Sequence, residues 1–171
     1  MTYIVSQIAG FSAFVISLIA YHKNSKKKIF QTMIVANVLD ILHYLFLGAF
    51  SGSVTKIIAL IRNEIIILKD KNKKLNNIYI LMIFILAYIA AGILTYKNIY
   101  SLLPIIAASI YLIFVWNGDE YKTKKTAFFC YFLWLIYNIF VLSIAGIVSN
   151  MVAIISTFIA VVNDKNIYKR K

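Results

Sequence analysis

The chain has 171 residues, of which 62% are hydrophobic and 14% are charged, and its mean hydropathy is +0.83. Soluble domains are roughly 45–50% apolar and about 25% charged, so the composition excludes both a water-soluble domain and a disordered chain. The formal charge of +12 would suggest nucleic acid on a soluble protein, but in a membrane protein the positions of the basic residues are more informative. We therefore expect no nucleic-acid partner.

Apolar runs separated by charged residues predict seven membrane-spanning helices. Most runs are long enough to cross about 30 Å of hydrocarbon at about 1.5 Å per residue. They are apolar on all sides, which favours helices over the alternating strands of a membrane barrel. The predicted spans cover approximately residues 3–22, 29–50, 53–68, 78–96, 99–116, 126–145 and 147–163.

The basic residues predict the orientation of these spans. Fifteen of the 18 lie in alternate connections, after spans 1, 3, 5 and 7. The opposite connections contain only Lys97, while Lys56 and Arg62 lie inside the third span. Because positively charged loops remain cytoplasmic, we expect an external N-terminus and a cytoplasmic C-terminus. The lysine-rich cytoplasmic loops are expected to contact anionic lipid headgroups.

An internal repeat relates the two ends of the chain. An offset of 94 positions aligns residues 39–72 with 133–166 without a gap, and ten of these 34 pairs are identical. The matches include Gly52 with Gly146, and an Asp-Lys-Asn sequence at the end of each copy. The alternative explanation is drift in an Ile-rich, low-complexity sequence.

The repeat predicts an all-α membrane protein with two three-helix units. The units comprise residues 1–72 and 98–171, and a linker helix lies in residues 73–97. A unit with an odd number of spans ends on the opposite side of the membrane from its start. The linker span restores the direction, so the two units are expected to lie parallel, as in several transporters.

Ionisable residues inside the predicted spans are candidates for function, because each costs on the order of 2.5–3.5 kcal/mol to insert. Asp40 and His43 lie on the second span, and Arg62 lies on the third. Counted from the predicted span ends, Asp40 and Arg62 reach similar depths, so we expect them to form an ion pair. Two interpretations remain open: a pair that only holds the hairpin together, or a site for a polar solute or a proton.

The corresponding positions of the second half are neutral and aromatic. Asp40 corresponds to Trp134, and Tyr44 corresponds to Asn138. A cavity between the halves would have a polar wall opposite an aromatic one, which suits a small hydroxylated or heterocyclic solute. The candidate substrate-binding residues are Asp40, His43, Arg62, Asn63, Trp134 and Asn138.

No catalytic or metal-binding motif occurs in the sequence, neither a Walker loop, an HExxH sequence, a serine nucleophile elbow nor a Cys/His set. Cys130 lies in an apolar run, where a small buried thiol is favoured over a redox or metal role. We expect no enzymatic activity, no cofactor and no metal. Gly48 and Gly52 form a GxxxG sequence at a hairpin end, which is a weak indication of a homo-oligomer.

Four short features of the sequence form a recognisable set: His43-Tyr-Leu-Phe-Leu-Gly48, Arg62 nineteen positions after that histidine, Leu102-Leu103-Pro104 and Trp134…Asn138. Together they resemble the YgjV family of bacterial inner-membrane proteins, and the similarity covers nearly the whole chain. The three-plus-one-plus-three layout also looks like the PQ-loop superfamily, which includes the SWEET sugar transporters. That resemblance implies two three-helix bundles around a central solute path. The chain departs from the superfamily because it lacks a clear Pro-Gln dipeptide, and Pro104 is the candidate counterpart.

These observations predict a multi-pass protein of the bacterial inner membrane. The leading functional interpretation is a transporter or facilitator of a small solute of unknown identity. The alternative is a non-transporting scaffold or regulatory protein whose midplane charges are structural.

Overall fold

A computed structural model describes residues 1–21, 26–69, 72–117 and 120–168, and every regular element within them is helical. The expectation of an all-α protein with seven helices is confirmed for this part of the chain. Two short 3₁₀ turns, Lys73–Leu75 and Ile99–Leu102, accompany them. The α-helices are α1 (Thr2–Tyr21), α2 (Lys26–Phe46), α3 (Phe50–Lys69), α4 (Ile78–Leu94), α5 (Leu103–Asn117), α6 (Glu120–Phe140) and α7 (Ile144–Tyr168).

Three helical segments of the described chain are long and apolar enough to cross a membrane: Thr2–Ala20, Ile99–Trp116 and Ile144–Val162. Gln31–Phe46 and Ile78–Leu94 are shorter apolar helices. Large apolar side chains cover the outside of the bundle, and Leu94, for example, is 84% exposed. Such a surface is expected where the solvent around the protein is lipid.

Some helices extend further than the predicted spans, into charged sequence. Helix α2 begins at Lys26, α6 begins at Glu120, and α7 continues to Tyr168. Charge ends an apolar run without ending a helix, because lysine side chains can extend along the helix towards the headgroups. Several basic residues of the predicted loops, namely Lys23, Lys71, Lys169, Arg170 and Lys171, lie outside the described residues.

Consecutive helices run in opposite directions. The α2–α3 turn, the α6–α7 turn and the start of α1 lie at one end of the bundle, which we call the turn end. There the Tyr3 hydroxyl donates to the Leu142 carbonyl over 3.1 Å, and Lys97 Nζ donates to the Gly48 carbonyl over 3.1 Å. At the opposite end, Lys69 Nζ donates to the Trp116 carbonyl over 2.6 Å.

The α2–α3 and α6–α7 turns have the same backbone geometry at a spacing of 94 residues. Gly48 and Leu142 are the residues of the described chain with positive φ, at 66° and 56°. The amides of residues 48 and 49 donate to the carbonyls of 45 and 44, and those of 142 and 143 donate to the carbonyls of 139 and 138. Each turn is therefore a left-handed helix cap, although glycine, which favours this conformation, occupies only the first.

Two of the helix pairs that join the halves of the chain are α1 with α7 and α3 with α5. Helix α1 packs against α2 and also against α7, while α3 packs against α2 and also against α4 and α5. The largest apolar core lies on the α4–α5 side and includes Phe84, Tyr88, Leu112 and Trp116. This arrangement brings residues from both halves together at the turn end.

Candidate functional site

Asp40 is paired with Lys56, and the predicted Asp40–Arg62 pair is wrong. Lys56 Nζ donates to Asp40 Oδ2 over 2.6 Å. Helix α2 ends at Phe46 and α3 begins at Phe50, so Asp40 and Lys56 each lie six residues, about 9 Å, from the turn end. Arg62 lies another six residues along α3, about 9 Å deeper in the bundle. The prediction failed because it placed the helix ends too far along the chain.

Lys56 also contacts Trp134 of α6. Lys56 Nζ is 5.1 Å from the centre of the Trp134 ring, within the range of a cation–π contact. The side chains of Lys56 and Asp40 are 24% and 20% exposed, and Trp134 is half-buried. These three residues form a partly exposed group contributed by α2, α3 and α6, which we call the charged cluster.

One turn nearer to the turn end, the polar and aromatic walls touch directly. The Tyr44 hydroxyl donates to Asn138 Oδ1 over 3.0 Å. The Tyr44 ring lies 5.7 Å from the Trp134 ring and 6.0 Å from the Tyr137 ring. Tyr44, Tyr137 and Asn138 are all buried. The sequence predicted a cavity between the two walls, whereas at this level their side chains are in direct contact.

His43 connects the same level to α1 and α7. Its ring is 1% exposed, with Nδ1 2.7 Å from the Ser6 carbonyl oxygen and Nε2 2.7 Å from Ser143 Oγ. Because a carbonyl oxygen can only accept, Nδ1 carries the proton, and Nε2 of the neutral ring accepts from the Ser143 hydroxyl. We call this buried set, which comprises His43, Tyr44, Tyr137, Asn138 and Ser143, the closed layer.

The closed layer also satisfies the first amides of α7. The Ser143 hydroxyl accepts from the Gly146 amide over 2.9 Å, as an N-cap residue does. The amide of Ala145 donates to Gln7 Oε1 over 2.9 Å. A side chain of α1 therefore supplies the hydrogen-bond acceptor for an amide in the first turn of α7.

In α3, the hydrogen-bond acceptor for an amide of the first turn comes from the other half of the chain. Position 49, which corresponds to Ser143, is an alanine and offers no capping hydroxyl. The Tyr137 hydroxyl accepts from the Gly52 amide over 3.0 Å and donates to the Ala49 carbonyl over 3.2 Å. Glycine is needed at position 52, because a Cβ there would lie 3.0 Å from that hydroxyl and 2.9 Å from Tyr44 Cγ.

Gly10 allows α1 to approach the closed layer. A Cβ at this position would lie 2.7 Å from the Ala145 Cβ and 2.8 Å from His43 Nδ1. Real Cβ atoms do not make contacts this short, so any side chain at residue 10 would push α1 away from α7. The close packing of α1 against α7 therefore depends on the absence of a side chain at Gly10.

Arg62 and Asn63 form a second group, separate from the charged cluster. Arg62 is 8% exposed, and its Nε and Nη2 donate to Asn63 Oδ1 over 3.2 and 3.0 Å. Its guanidinium carbon lies 5.3 Å from the centre of the Tyr111 ring. Ser156, the counterpart of Arg62 in the sequence repeat, is exposed, so the second half has no matching buried group here.

The structure therefore brings four of the six predicted residues together, namely Asp40, His43, Trp134 and Asn138, and leaves Arg62 and Asn63 apart from them. Sequence reasoning missed Lys56 as the partner of Asp40. Residues 40 and 56 are equally far from the α2–α3 turn, and this symmetry could have identified Lys56 as the partner of Asp40. It also missed Ser6 and Ser143, because small polar residues are ordinary in membrane helices.

Two cavities lie near the turn end. One, of about 480 Å³, is an apolar groove between α4 and α5 lined by Ile89, Gly92, Ile93, Tyr96, Leu102 and Ile105. The other, of about 70 Å³, lies between the α2–α3 turn and the 3₁₀ turn at Ile99–Leu102, next to Lys97. None of the six predicted substrate-binding residues lines either cavity.

Comparison with known proteins identifies one relevant family. The model of the family Imp-YgjV, described as a bacterial inner membrane protein, matches residues 4–167. Neither a curated protein nor a solved structure matches the chain.

Proposed function

The chain belongs to the Imp-YgjV family of bacterial inner membrane proteins, and from this premise we propose that it transports a small polar solute. The charged cluster of Asp40, Lys56 and Trp134 is the proposed solute site. The closed layer, which includes His43 and Asn138, is the proposed barrier between that site and the turn end.

The observation that carries this proposal is the order of the two groups along the bundle. A partly exposed ion pair with an adjacent indole lies directly beneath a buried layer to which both halves contribute. Two bonds across that layer, Tyr44 to Asn138 and His43 to Ser143, join side chain to side chain, and Tyr137 bonds through its side chain to backbone groups of the first half. Side-chain bonds of this kind can be exchanged when two halves rock against each other, as alternating access requires.

We further propose that the halves are parallel three-helix repeats, residues 1–72 and 98–171, with a linker helix in 73–97, in the manner of SWEET transporters. The 94-residue spacing of the two left-handed turns supports this, since their backbone hydrogen bonds match pair by pair. Two of the helix contacts between the halves support it as well, because α1 with α7 and α5 with α3 are equivalent pairs under such a repeat.

The proposed orientation places the turn end outside. Tags at the two termini are expected to report an external N-terminus and a cytoplasmic C-terminus, because the predicted basic loops lie opposite the turn end. Reporter fusions or protease protection in spheroplasts measure this. Accessibility of both tags from one side would remove a span and contradict the parallel repeat.

Trp134 provides the test of the transport proposal. In the transport interpretation its ring lines the solute site. Trp134→Ala should then abolish solute-induced thermal stabilisation, in a screen of sugars, amino acids and nucleosides, and change the unfolding free energy by about 1 kcal/mol or less. In a Trp116→Phe background, which leaves Trp134 as the single tryptophan, acrylamide should quench its fluorescence.

The matched control is Phe128→Ala on the same helix. Phe128 packs against Phe132 and Phe158 with ring distances of 5.1 and 6.0 Å, so its truncation should reduce stability and leave solute binding intact. A Trp134 that acrylamide does not reach, together with an alanine variant destabilised by roughly 3–5 kcal/mol as in core truncations, would overturn the transport proposal.

The second candidate function is a non-transporting scaffold or regulator. The direct contact between the two walls at Tyr44 and Asn138 favours it, as does the location of both described cavities away from the predicted residues. In this case the Asp40–Lys56 pair only fixes the α2–α3 hairpin. The Trp134 experiment distinguishes the two candidates.

A further inference from the structure

Arg62 carries a positive charge in the middle of the bundle. It lies twelve residues into α3, about 18 Å from the turn end, and seven residues, about 10 Å, before Lys69 at the other end of the helix. At this depth a guanidinium is surrounded by protein and hydrocarbon, and it normally has a carboxylate partner. With 8% of its surface exposed, Arg62 is too deeply buried for water to replace such a partner fully.

The described side chains provide no such carboxylate. Asp40 is paired with Lys56, and Glu64, about 200° further around α3, is exposed. Arg62 instead donates two hydrogen bonds to one neutral amide oxygen, that of Asn63, and faces the Tyr111 ring. A neutral oxygen and an aromatic face orient a guanidinium without balancing its charge.

A second donor without an acceptor lies next to it. Tyr88 of α4 is completely buried, and among the described residues its hydroxyl donates to no acceptor. The Arg62 side chain lies within hydrogen-bond reach of the phenol oxygen, but a guanidinium can only donate, so the O–H proton of Tyr88 remains without an acceptor. An unpaired buried hydroxyl is costly in an apolar core, and this core is formed by residues such as Phe84 and Leu112.

A single anion would explain both observations, because it balances the charge of a guanidinium and also accepts from an O–H donor. We infer that Arg62 and Tyr88 bind a small anion or the carboxylate of a solute at the junction of α3, α4 and α5. A guanidinium recognises a carboxylate through two parallel bonds, and a phenol adds a third. This site lies about 9 Å deeper along α3 than Lys56, so its existence does not depend on the transport proposal.

Anion-dependent stabilisation of the purified full-length chain tests this inference. The protein is prepared in detergent with the sodium salt of HEPES, a bulky sulfonate without a carboxylate, as the reference anion, and is titrated with sodium formate, acetate or chloride at constant ionic strength. A bound anion should raise the melting temperature with saturation, since a ligand of the native state stabilises it in proportion to ln(1 + [L]/Kd).

Tyr88→Phe is the decisive variant, because removing an O–H group that has no acceptor should change folding in the reference buffer little. The apparent Kd for formate should nevertheless rise at least about tenfold, the loss expected for a hydrogen bond to a charged group. Arg62→Gln should abolish the response. Lys97→Met, which removes an exposed cation at the turn end, should retain the wild-type Kd.

Two outcomes would overturn the inference. One is a melting temperature that does not depend on any of the three anions. The other is an anion response that Tyr88→Phe and Arg62→Gln leave unchanged, which would assign it to general salt effects. If Arg62→Gln does not fold, the Tyr88→Phe titration alone decides between these results. Because the measurement is binding without transport, its failure is distinguishable from failure of the Trp134 test.

Discussion

Replacing Lys56 with methionine is expected to lower the free energy of unfolding by about 3 kcal/mol, because the Asp40 carboxylate loses its partner. Only 20% of the Asp40 side chain is exposed, so solvent compensates for little of that loss. Methionine approximates the length of lysine without its charge, which limits the contribution of lost packing. Denaturation of the purified protein in detergent micelles measures the change.

The double variant Asp40→Asn with Lys56→Met isolates the interaction itself. It should be more stable than the sum of the two single changes predicts, by about 1–3 kcal/mol, because neither partner then leaves an unpaired charge. Lys97→Met is the control, since Lys97 is exposed and donates to a carbonyl rather than a carboxylate. It should cost about 1 kcal/mol or less. Strict additivity of the Asp40 and Lys56 variants would contradict a coupled pair.

Replacing Gly10 with alanine is expected to cost about 1–3 kcal/mol, the range for overpacking a tight contact. The new Cβ would overlap Ala145 and His43 Nδ1, so α1 must move away from α7 at the turn end. In a Cys130→Ser background, spin labels at positions 3 and 142 should report a longer mean distance in this variant. Under the transport proposal, the variant favours conformations in which the closed layer is open.

Gly92→Ala is the matched control for Gly10→Ala. A Cβ at residue 92 would lie 3.5 Å from the nearest neighbour, Ile105 Cγ2, which is an ordinary contact. Alanine is favoured over glycine inside a helix by about 1 kcal/mol, so this variant should be neutral or more stable. Equal effects of the two substitutions would show that the close approach at Gly10 is not a determinant of stability.

The helices of this protein could be predicted from the sequence because lipid imposes one requirement on every span. Each must satisfy its own backbone and cover it with apolar side chains, and this leaves long runs that are easily located. The ends were less predictable. Lys26 begins α2 instead of preceding it, and α2 stops at Phe46 before the left-handed Gly48. A difference of four residues at this end was enough to assign Asp40 the wrong partner.

The contacts between the halves could not be predicted, because they depend on distances between residues far apart in the sequence. Aligning the copies identified Tyr44 and Asn138 as corresponding residues, yet it gave no reason for them to bond to each other. Likewise, Tyr137 corresponds to His43, but it acts as a cap for α3. Its role follows from Ala49, which lacks the hydroxyl that Ser143 provides in the second turn.

The cap that Tyr137 provides has a consequence for biogenesis. The α2–α3 hairpin is synthesised first, and the hydroxyl that its Gly52 amide requires follows 85 residues later. Until α6 enters the membrane, water at the interface must accept from that amide, whereas the Ala49 carbonyl already accepts from the Ser53 amide within the hairpin. The hairpin should therefore insert early but remain loosely closed at its turn, and it should tighten only in the later stage of helix association. Ribosome-bound chains stalled before residue 137 would then expose this turn to membrane proteases.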